Sequence, residues 1–499
     1  TAQWNLFRQK SPLRKAAGLA HFPTLIFLDL PMSILKFSST TIDSPVIASV
    51  GQSAKVPHFN VAIVGGGPAG TGMVVAALQS GKLDALLDSG VAIFEAGQHL
   101  VRGNLGNFCL NSDTLADTFL EVFDNDPDGH LTSIKNAPAT NAVAGYRGRS
   151  VPLPIAGDFL QTMGECLRKT IDASLNSKVW LGTKIESVVR LRQGGFFLEG
   201  SQNRVPFKAT CTKLVLATGG SQDIENVIDQ TIENSYGHST QLGLYREKVL
   251  LTHRILSDQS GGSWRQFVEG KPDPKVTVIG SSHSAFSTAW TMLQARHGVK
   301  FGRGGITILH RSMPRLCFDS PEAAIDAGYT DFDQRDVCPL TGRLFRLAGL
   351  RFDGRELLMK LLQVDGFRNE ERVCLQPLND ATEDLEKRFR QSDLIVPAFG
   401  YRPRAIEMYE QDGRTIEFNS KAGGAFVDDL CRVLRAKSHP KAVPQPIENL
   451  FAMGLASGYI PSGELGGEPS FRGQTNGFWL YQNGVGEIVL DQVMAGVAR

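Results

Sequence analysis

The sequence has no C-x-x-C pair, and its seven cysteines are scattered and odd in number. That excludes a disulfide framework or a structural zinc site and fits a reducing compartment. No His/Cys/carboxylate cluster has metal-ligand spacing, and no G-x-S-x-G nucleophile elbow occurs. Neither sign of charge dominates: 52 Lys and Arg stand against 51 Asp and Glu, a formal net charge of +1. Nucleic acid and anionic membrane surfaces are therefore not expected partners. No apolar run is long enough for a transmembrane segment. Phe22–Leu35 is too short, and Pro23, Asp29 and Pro31 interrupt it. Repeats of solenoid period and long low-complexity tracts are also missing. What remains, with 42% hydrophobic and 21% charged residues over 499 positions, reads as a soluble globular chain of roughly three domain-sized units.

The first 58 residues stand apart. They hold six Lys and Arg against two acids, Asp29 and Asp43, with many Ser and Thr. Such a stretch reads as a poorly ordered extension, as sequence upstream of a start at Met32, or as an organellar transit peptide. The expected location is cytoplasmic, or organellar under the last reading.

Residues 61–70 read V-A-I-V-G-G-G-P-A-G. Val61–Val64 is a short apolar run suited to a buried parallel strand. Gly65, Gly67 and Gly70 then form G-x-G-x-x-G, with Pro68 and Ala69 between, and a small-residue helix is expected over Thr71–Leu78. Gly65 permits the tight turn, Gly67 lets a pyrophosphate touch the backbone, and Gly70 lets helix and strand pack closely. The helix N-terminus offers unpaired N–H groups to the phosphates. Glu95 closes the next apolar run, Val91–Phe94, at the distance expected of an acid that accepts hydrogen bonds from an adenosine ribose.

A second pattern follows at Lys275–Ala285. The run Val276–Ile279 leads into Gly280-Ser281-Ser282-His283-Ser284-Ala285, with Ser282 in place of the second glycine and Ala285 in place of the third. The next strand, Ile306–Leu309, ends in His310-Arg311. Where the first site has an acid, this one has a base, and an Arg suits a 2′-phosphate. Between the halves lies Leu216-Ala217-Thr218-Gly219-Gly220. A later counterpart is Asp393–Val396 followed by Pro397-Ala398-Phe399-Gly400-Tyr401-Arg402-Pro403. Near the end, Asn449–Gly454 is a strand running into a turn, and Gly473-Gln474-Thr475-Asn476-Gly477 leads into a helix through Val493.

In the order of these motifs, the chain resembles the two-dinucleotide-binding-domain flavoproteins from about Phe59 to its C-terminus. The resemblance implies an α/β fold of two Rossmann-like, three-layer ββα domains, with an NADPH domain inserted into an FAD domain. The implied divisions are an N-terminal extension (1–58), the first part of the FAD domain (59–245), the NAD(P)H domain (246–405) and the second part of the FAD domain (406–499). Disulfide reductases of this superfamily carry C-x4-C after the ribose acid. Here Cys109 is followed by Thr114, so dithiol exchange has no second thiol. Leu455 also stands where those reductases place an Asp after the terminal strand glycine. The pattern is more similar to class B flavin-dependent monooxygenases of the N-hydroxylating type, whose small-residue NADPH turn Gly280–Ala285 matches.

That resemblance implies FAD at Gly65, Gly67, Pro68, Ala69, Gly70, Glu95, Arg102, Thr218, Gly219, Gly454, Gln474 and Thr475. It implies NADPH at Gly280, Ser282, Ser284, Ala285 and Arg311. It implies that NADPH would reduce the flavin, that O2 would convert it to a C4a-(hydro)peroxide, and that a small amine or sulfur nucleophile would take one oxygen atom. Asn104, Cys109 and Asn111 are the candidates near the reacting atoms, although an asparagine-rich loop also caps its own turns and a lone Cys also serves as a small buried residue. The alternatives are a flavin reductase or dehydrogenase without oxygen insertion, and a non-catalytic redox sensor. The expected partners are a small-molecule substrate and O2, and homo-oligomerisation is left open.

Overall fold

The computed structural model describes residues 56–495 except 381–383, 419, 422–423, 438, 440–441, 458, 460–464, 472–477 and 479–483. Residues 1–55, with nearly all of the N-terminal extension, and Gln474 and Thr475 lie outside the described residues. Two sheets with parallel cores organise the rest. The first contains β1 (His58–Val64), β2 (Val91–Glu95), β5 (Lys178–Leu181), β6 (Thr183–Arg190), β7 (Phe196–Gln202), β8 (Val205–Leu216), β17 (Glu407–Glu410), β20 (Arg432–Leu434) and β21 (Pro446–Ala452). The second contains β12 (Val276–Ile279), β13 (Ile306–His310), β14 (Val373–Pro377) and β15 (Leu394–Pro397). Four short pairs complete the described strands: β3 (Asn111–Leu115) with β4 (Ser150–Pro152), β9 (Gly220–Ser221) with β16 (Arg402–Pro403), β10 (Thr231–Glu233) with β11 (Ser239–Gln241), and β18 (Ser420–Lys421) with β19 (Gly424–Ala425).

The two parallel cores repeat one design. In the first sheet the order is β5-β2-β1-β8, and in the second it is β14-β13-β12-β15. In each, the first strand pairs in parallel with the second on one side and with the fourth on the other. The strands are apolar runs because both faces are covered; all four residues of β12 are buried, as are Val61–Val64 of β1. A helix follows each first strand, Gly72–Gln79 after β1 and His283–Leu293 after β12. The expected helix over Thr71–Leu78 is thus present one residue later. Strand order reverses beside β1 and beside β12, and such a reversal opens a crevice at the carboxyl ends of the strands.

The chain leaves the first unit and returns to it along adjacent paths. β9 pairs antiparallel with β16, and the Arg404 N–H donates to the Gly219 carbonyl at 3.0 Å. Gln222 ties the crossing together: its amide donates to Thr252 Oγ1 (2.8 Å) and to the Gly400 carbonyl (3.1 Å). This moves one boundary. Residues 224–245, assigned from sequence to the first unit, pack on the second sheet: Val227, Ile228, Ile232, Leu242 and Tyr245 share a core with Ile279, Leu309 and Ile395. Their apolar side chains complete the face of the second sheet that would otherwise meet water. Helix Gly484–Met494 returns to the first unit and packs against Gly72–Gln79. No helix among the described residues is long and apolar enough to cross a membrane.

Candidate nucleotide and active site

The first glycine turn assigns a distinct physical duty to each glycine. Gly65 has φ +105°, and a Cβ there would sit 2.2 Å from the Ala217 carbonyl oxygen. A Cβ on Gly70 would sit 1.8 Å from the Gly65 carbonyl oxygen, so this position holds helix to strand. At Gly67 the nearest atom is the Gly103 Cα at 3.7 Å, which leaves the backbone open to a ligand. Glu95 turns its carboxylate back onto the turn, accepting from the Gly66 N–H (2.7 Å) and the Gly97 N–H (2.6 Å). Two further glycines with positive φ close on the intervening residues. Gly103 lies against Pro68, and a Cβ on Gly454 would come 2.6 Å from Ala69 Cβ. A cleft beyond Glu95 is lined by Gln98, His99, Gln161, Glu165, Arg168 and Lys169.

Arg102 lies beside this turn. Its Nη1 donates to Asn107 Oδ1 at 2.9 Å, and its Nε is buried without a partner. A buried unsatisfied donor costs about 1–3 kcal/mol, so it marks a place where an acceptor belongs. The open backbone at Gly67, the adjacent helix start and this orphaned guanidinium donor together fit a pyrophosphate. Asn104 stands at the N-cap position of the short helical turn Leu105–Asn107 without a side-chain capping bond, and its Oδ1 accepts from the Asn107 side-chain amide at 3.5 Å.

The rest of this loop meets the inserted unit. The Cys109 N–H donates to the Leu256 carbonyl at 2.7 Å, and burial pushes the Cys109 thiol pKa up, against a lowering pull from Arg296. A raised pKa leaves less thiolate for redox chemistry. The Asn111 amide donates to both carboxylate oxygens of Asp353, at 3.2 and 3.0 Å. Burial pushes the Asp353 carboxyl up, with the Asn111 hydrogen bond opposing it. Asp353 carries no sequence motif, which is why sequence reasoning missed it. Thr218 Oγ1 donates to the Arg404 carbonyl (2.7 Å), and Gly219 has φ +69°. Both stand at the crossing between units.

The second turn copies the first. The Gly280 N–H donates to the Leu309 carbonyl as the Gly65 N–H donates to that of Phe94, each at 2.8 Å. Gly280 has φ +134°, and a Cβ there would meet the Ala398 carbonyl oxygen at 2.7 Å, as Gly65 would meet Ala217. Ser282 is the exposed N-cap of the following helix, and its hydroxyl makes no capping bond. Ser284 is half-buried and Ala285 is buried where a third glycine would stand. Arg311 is exposed, and no hydrogen bond or ion pair holds its side chain among the described residues. His283 is half-buried: its Nε2 accepts from the Arg351 N–H at 3.3 Å, and burial lowers its pKa.

A second seam joins the units through residues absent from any motif. Glu468 is 3% exposed, and its carboxylate accepts from the N–H groups of Leu347 (3.0 Å) and Ala348 (2.7 Å). Beside it, Cys338 Sγ accepts from the Gly467 N–H (3.2 Å) and from Arg346 Nη1 (3.5 Å). Burial pushes the Cys338 thiol up, but hydrogen bonds from Thr341, Gly467 and Arg346 outweigh it and hold the pKa at about 7. No group of three or more His, Cys, Asp or Glu among the described residues is arranged to hold a metal ion.

No protein-family model matches the chain. It is 29% identical over 455 residues to the CMP-5′-(3-aminopropyl)phosphonate hydroxylase of Streptomyces rubellomurinus, covering 88% of this chain and 98% of that protein. Among solved structures it is similar to the FAD-bound cadaverine monooxygenase of Erwinia amylovora, with a TM-score of 0.52 at 14% identity over 88% of this chain and 96% of that one. It is also similar to the L-lysine 6-monooxygenase of Pseudomonas syringae, with a TM-score of 0.50 at 16% identity over 88% and 100% of the two chains. With its two pseudo-equivalent glycine turns and its paired crossing strands, the chain shares the fold of these two monooxygenases.

Proposed function

We propose that this chain is an FAD- and NADPH-dependent monooxygenase that hydroxylates a primary amine, and that the amine is borne on a nucleotide-linked phosphonate or a close analogue. The observation that carries this reading is the 29% identity to a CMP-5′-(3-aminopropyl)phosphonate hydroxylase along 98% of its length, on a chain with two parallel units that each run strand, glycine turn, helix. When bound, FAD accepts a hydride from NADPH and uses O2 to supply the oxygen atom given to the substrate.

The chain's own residues divide the work. Gly67, Arg102 and the start of helix Gly72–Gln79 would hold the FAD pyrophosphate, and Glu95 the adenosine ribose. Gly280, Ser282 and the start of helix His283–Leu293 would hold the second pyrophosphate, with Arg311 near the 2′-phosphate. The contacts of Cys109 with Leu256 and of Asn111 with Asp353 close the loop 102–111 onto the inserted unit. In this reading that closure would help keep water from the space between the two nucleotides. The amine must be neutral when it reacts, so turnover should rise with pH toward the amine pKa.

The test is turnover of purified protein with FAD, NADPH and O2 against CMP-linked aminopropylphosphonate, cadaverine and lysine, with hydroxylamine product quantified beside NADPH and O2 consumption. Hydroxylamine formed in step with NADPH on the phosphonate supports the reading. NADPH oxidation yielding only hydrogen peroxide with every amine points to a reductase or oxidase instead.

A further inference from the structure

The registers of the two units place one residue in an unexpected role. In the first unit Val64 pairs with Phe94, and Glu95 is the next residue. In the second unit Ile279 pairs with Leu309, and His310 is the next residue. The third strands agree: Glu95 pairs with Leu181 on β5, and His310 pairs with Pro377 on β14. His310, and not Arg311, therefore stands where the first unit carries its ribose acid.

Its surroundings are those of a site lacking its ligand's acceptor. The residue is 4% exposed, and neither ring nitrogen makes a well-formed hydrogen bond, a weak one with the Ser312 backbone aside. An imidazole buried this way gives up hydrogen bonds that water would have made. It sits at the carboxyl end of a central parallel strand, beside the point where strand order reverses. Directly outside it lie Arg311 and Ser312, both exposed.

We propose that His310 reads the 2′ position of the adenosine ribose in the second nucleotide unit, donating a ring N–H to a 2′-phosphate while Arg311 supplies the balancing charge from the surface. This rests on the reading that the second unit binds NADPH. A carboxylate at the same place accepts from a 2′-hydroxyl and repels a phosphate, whereas an imidazole keeps a donor in every protonation state. Burial pushes the His310 pKa down, against a smaller opposing pull from the Ser312 backbone. That shift favours the neutral ring, which has one donor and one acceptor.

Calorimetric titration of the full chain with 2′,5′-ADP and with 5′-AMP isolates this contact from turnover. The wild type should prefer 2′,5′-ADP. His310→Glu should weaken 2′,5′-ADP about ten- to a hundredfold, the range for a hydrogen bond to a charged group, and leave 5′-AMP equal or tighter. His310→Gln keeps a donor and should retain most of the preference, while His310→Phe fills the space without one and should lose it. If His310→Glu does not fold, as judged by circular dichroism, the Gln and Phe variants decide alone. An unchanged preference in the Phe or Glu variant overturns the proposal while leaving NADPH binding standing. Failure of the wild type to bind either nucleotide overturns the nucleotide reading of the second unit itself.

Discussion

At the scale of single residues, Cys338 carries a pH dependence that can be worked out in sign. Its pKa in the fold is about 7, below the ordinary 9.0, because the hydrogen bonds from Thr341, Gly467 and Arg346 favour the thiolate more than burial opposes it. A group with a depressed folded pKa binds its proton more tightly in the unfolded chain. Its contribution is therefore full above the unfolded value and is lost as pH falls through the folded one. Between pH 9 and pH 6.5 the wild type should lose stability relative to Cys338→Ser, by an amount on the order of 2 kcal/mol. Urea denaturation of both proteins at several pH values checks this. A constant difference across that range would mean that Cys338 stays a thiol. Nothing in the sequence marks this cysteine, because its donors arrive from Gly467, more than a hundred residues away in the chain, and from a loop that only the fold brings back. Glu95 is the opposite case. Its place at the end of an apolar run after G-x-G-x-x-G announces it, and its two backbone hydrogen bonds follow from that place.

At the scale of the strand–turn–helix element, the glycines separate folding from binding. Gly70→Ala drives a methyl to within 1.8 Å of the Gly65 carbonyl oxygen, a backbone atom that cannot move without tearing the turn. It should cost more than about 3 kcal/mol or abolish soluble protein. Gly67→Ala meets nothing closer than 3.7 Å, so its cost in the free protein should stay near the ordinary value of about 1 kcal/mol or less, while the methyl occupies the space a pyrophosphate needs. The expected result is a folded but colourless protein, checked by thermal melts and by flavin absorbance after dialysis. A yellow Gly67→Ala protein with wild-type flavin content would remove the pyrophosphate from this turn. The element as a whole was readable from sequence, because period, glycine spacing and the following acid all act within about thirty-five residues. The boundary near 245 was not. Residues 224–245 form short helices, turns and a hairpin with no strong period, and what assigns them to the inserted unit is burial against Ile279, Leu309 and Ile395, which sequence order does not reveal.

At the scale of the whole molecule, the proposed function requires the two units to hold a fixed relation, and polar seams join them. One runs through Asn111 and Asp353. The other runs through Glu468, Cys338 and Arg346, whose Nη1 also donates to the Leu465 carbonyl at 3.3 Å. Residues 465–468 belong to the returning part of the first unit, and residues 338–348 to the inserted one, so this seam is a clamp between them. Glu468→Ala leaves the buried N–H groups of Leu347 and Ala348 without acceptors, a destabilisation of about 2–4 kcal/mol by the usual cost of such groups. A purely structural role would end there. If the clamp sets the approach of one nucleotide to the other, anaerobic reduction of bound flavin by NADPH should slow about tenfold or more, since small misplacements at a reacting pair are costly. FAD retention and the affinity for 2′,5′-ADP should stay within about threefold, because neither turn touches Glu468. Glu468→Gln retains one acceptor oxygen and should recover part of the rate. A reduction rate that is unchanged in a destabilised Glu468→Ala protein would confine Glu468 to holding the fold, and would leave the geometry between the units to their other contacts, Asn111 with Asp353 and Cys109 with Leu256 among them.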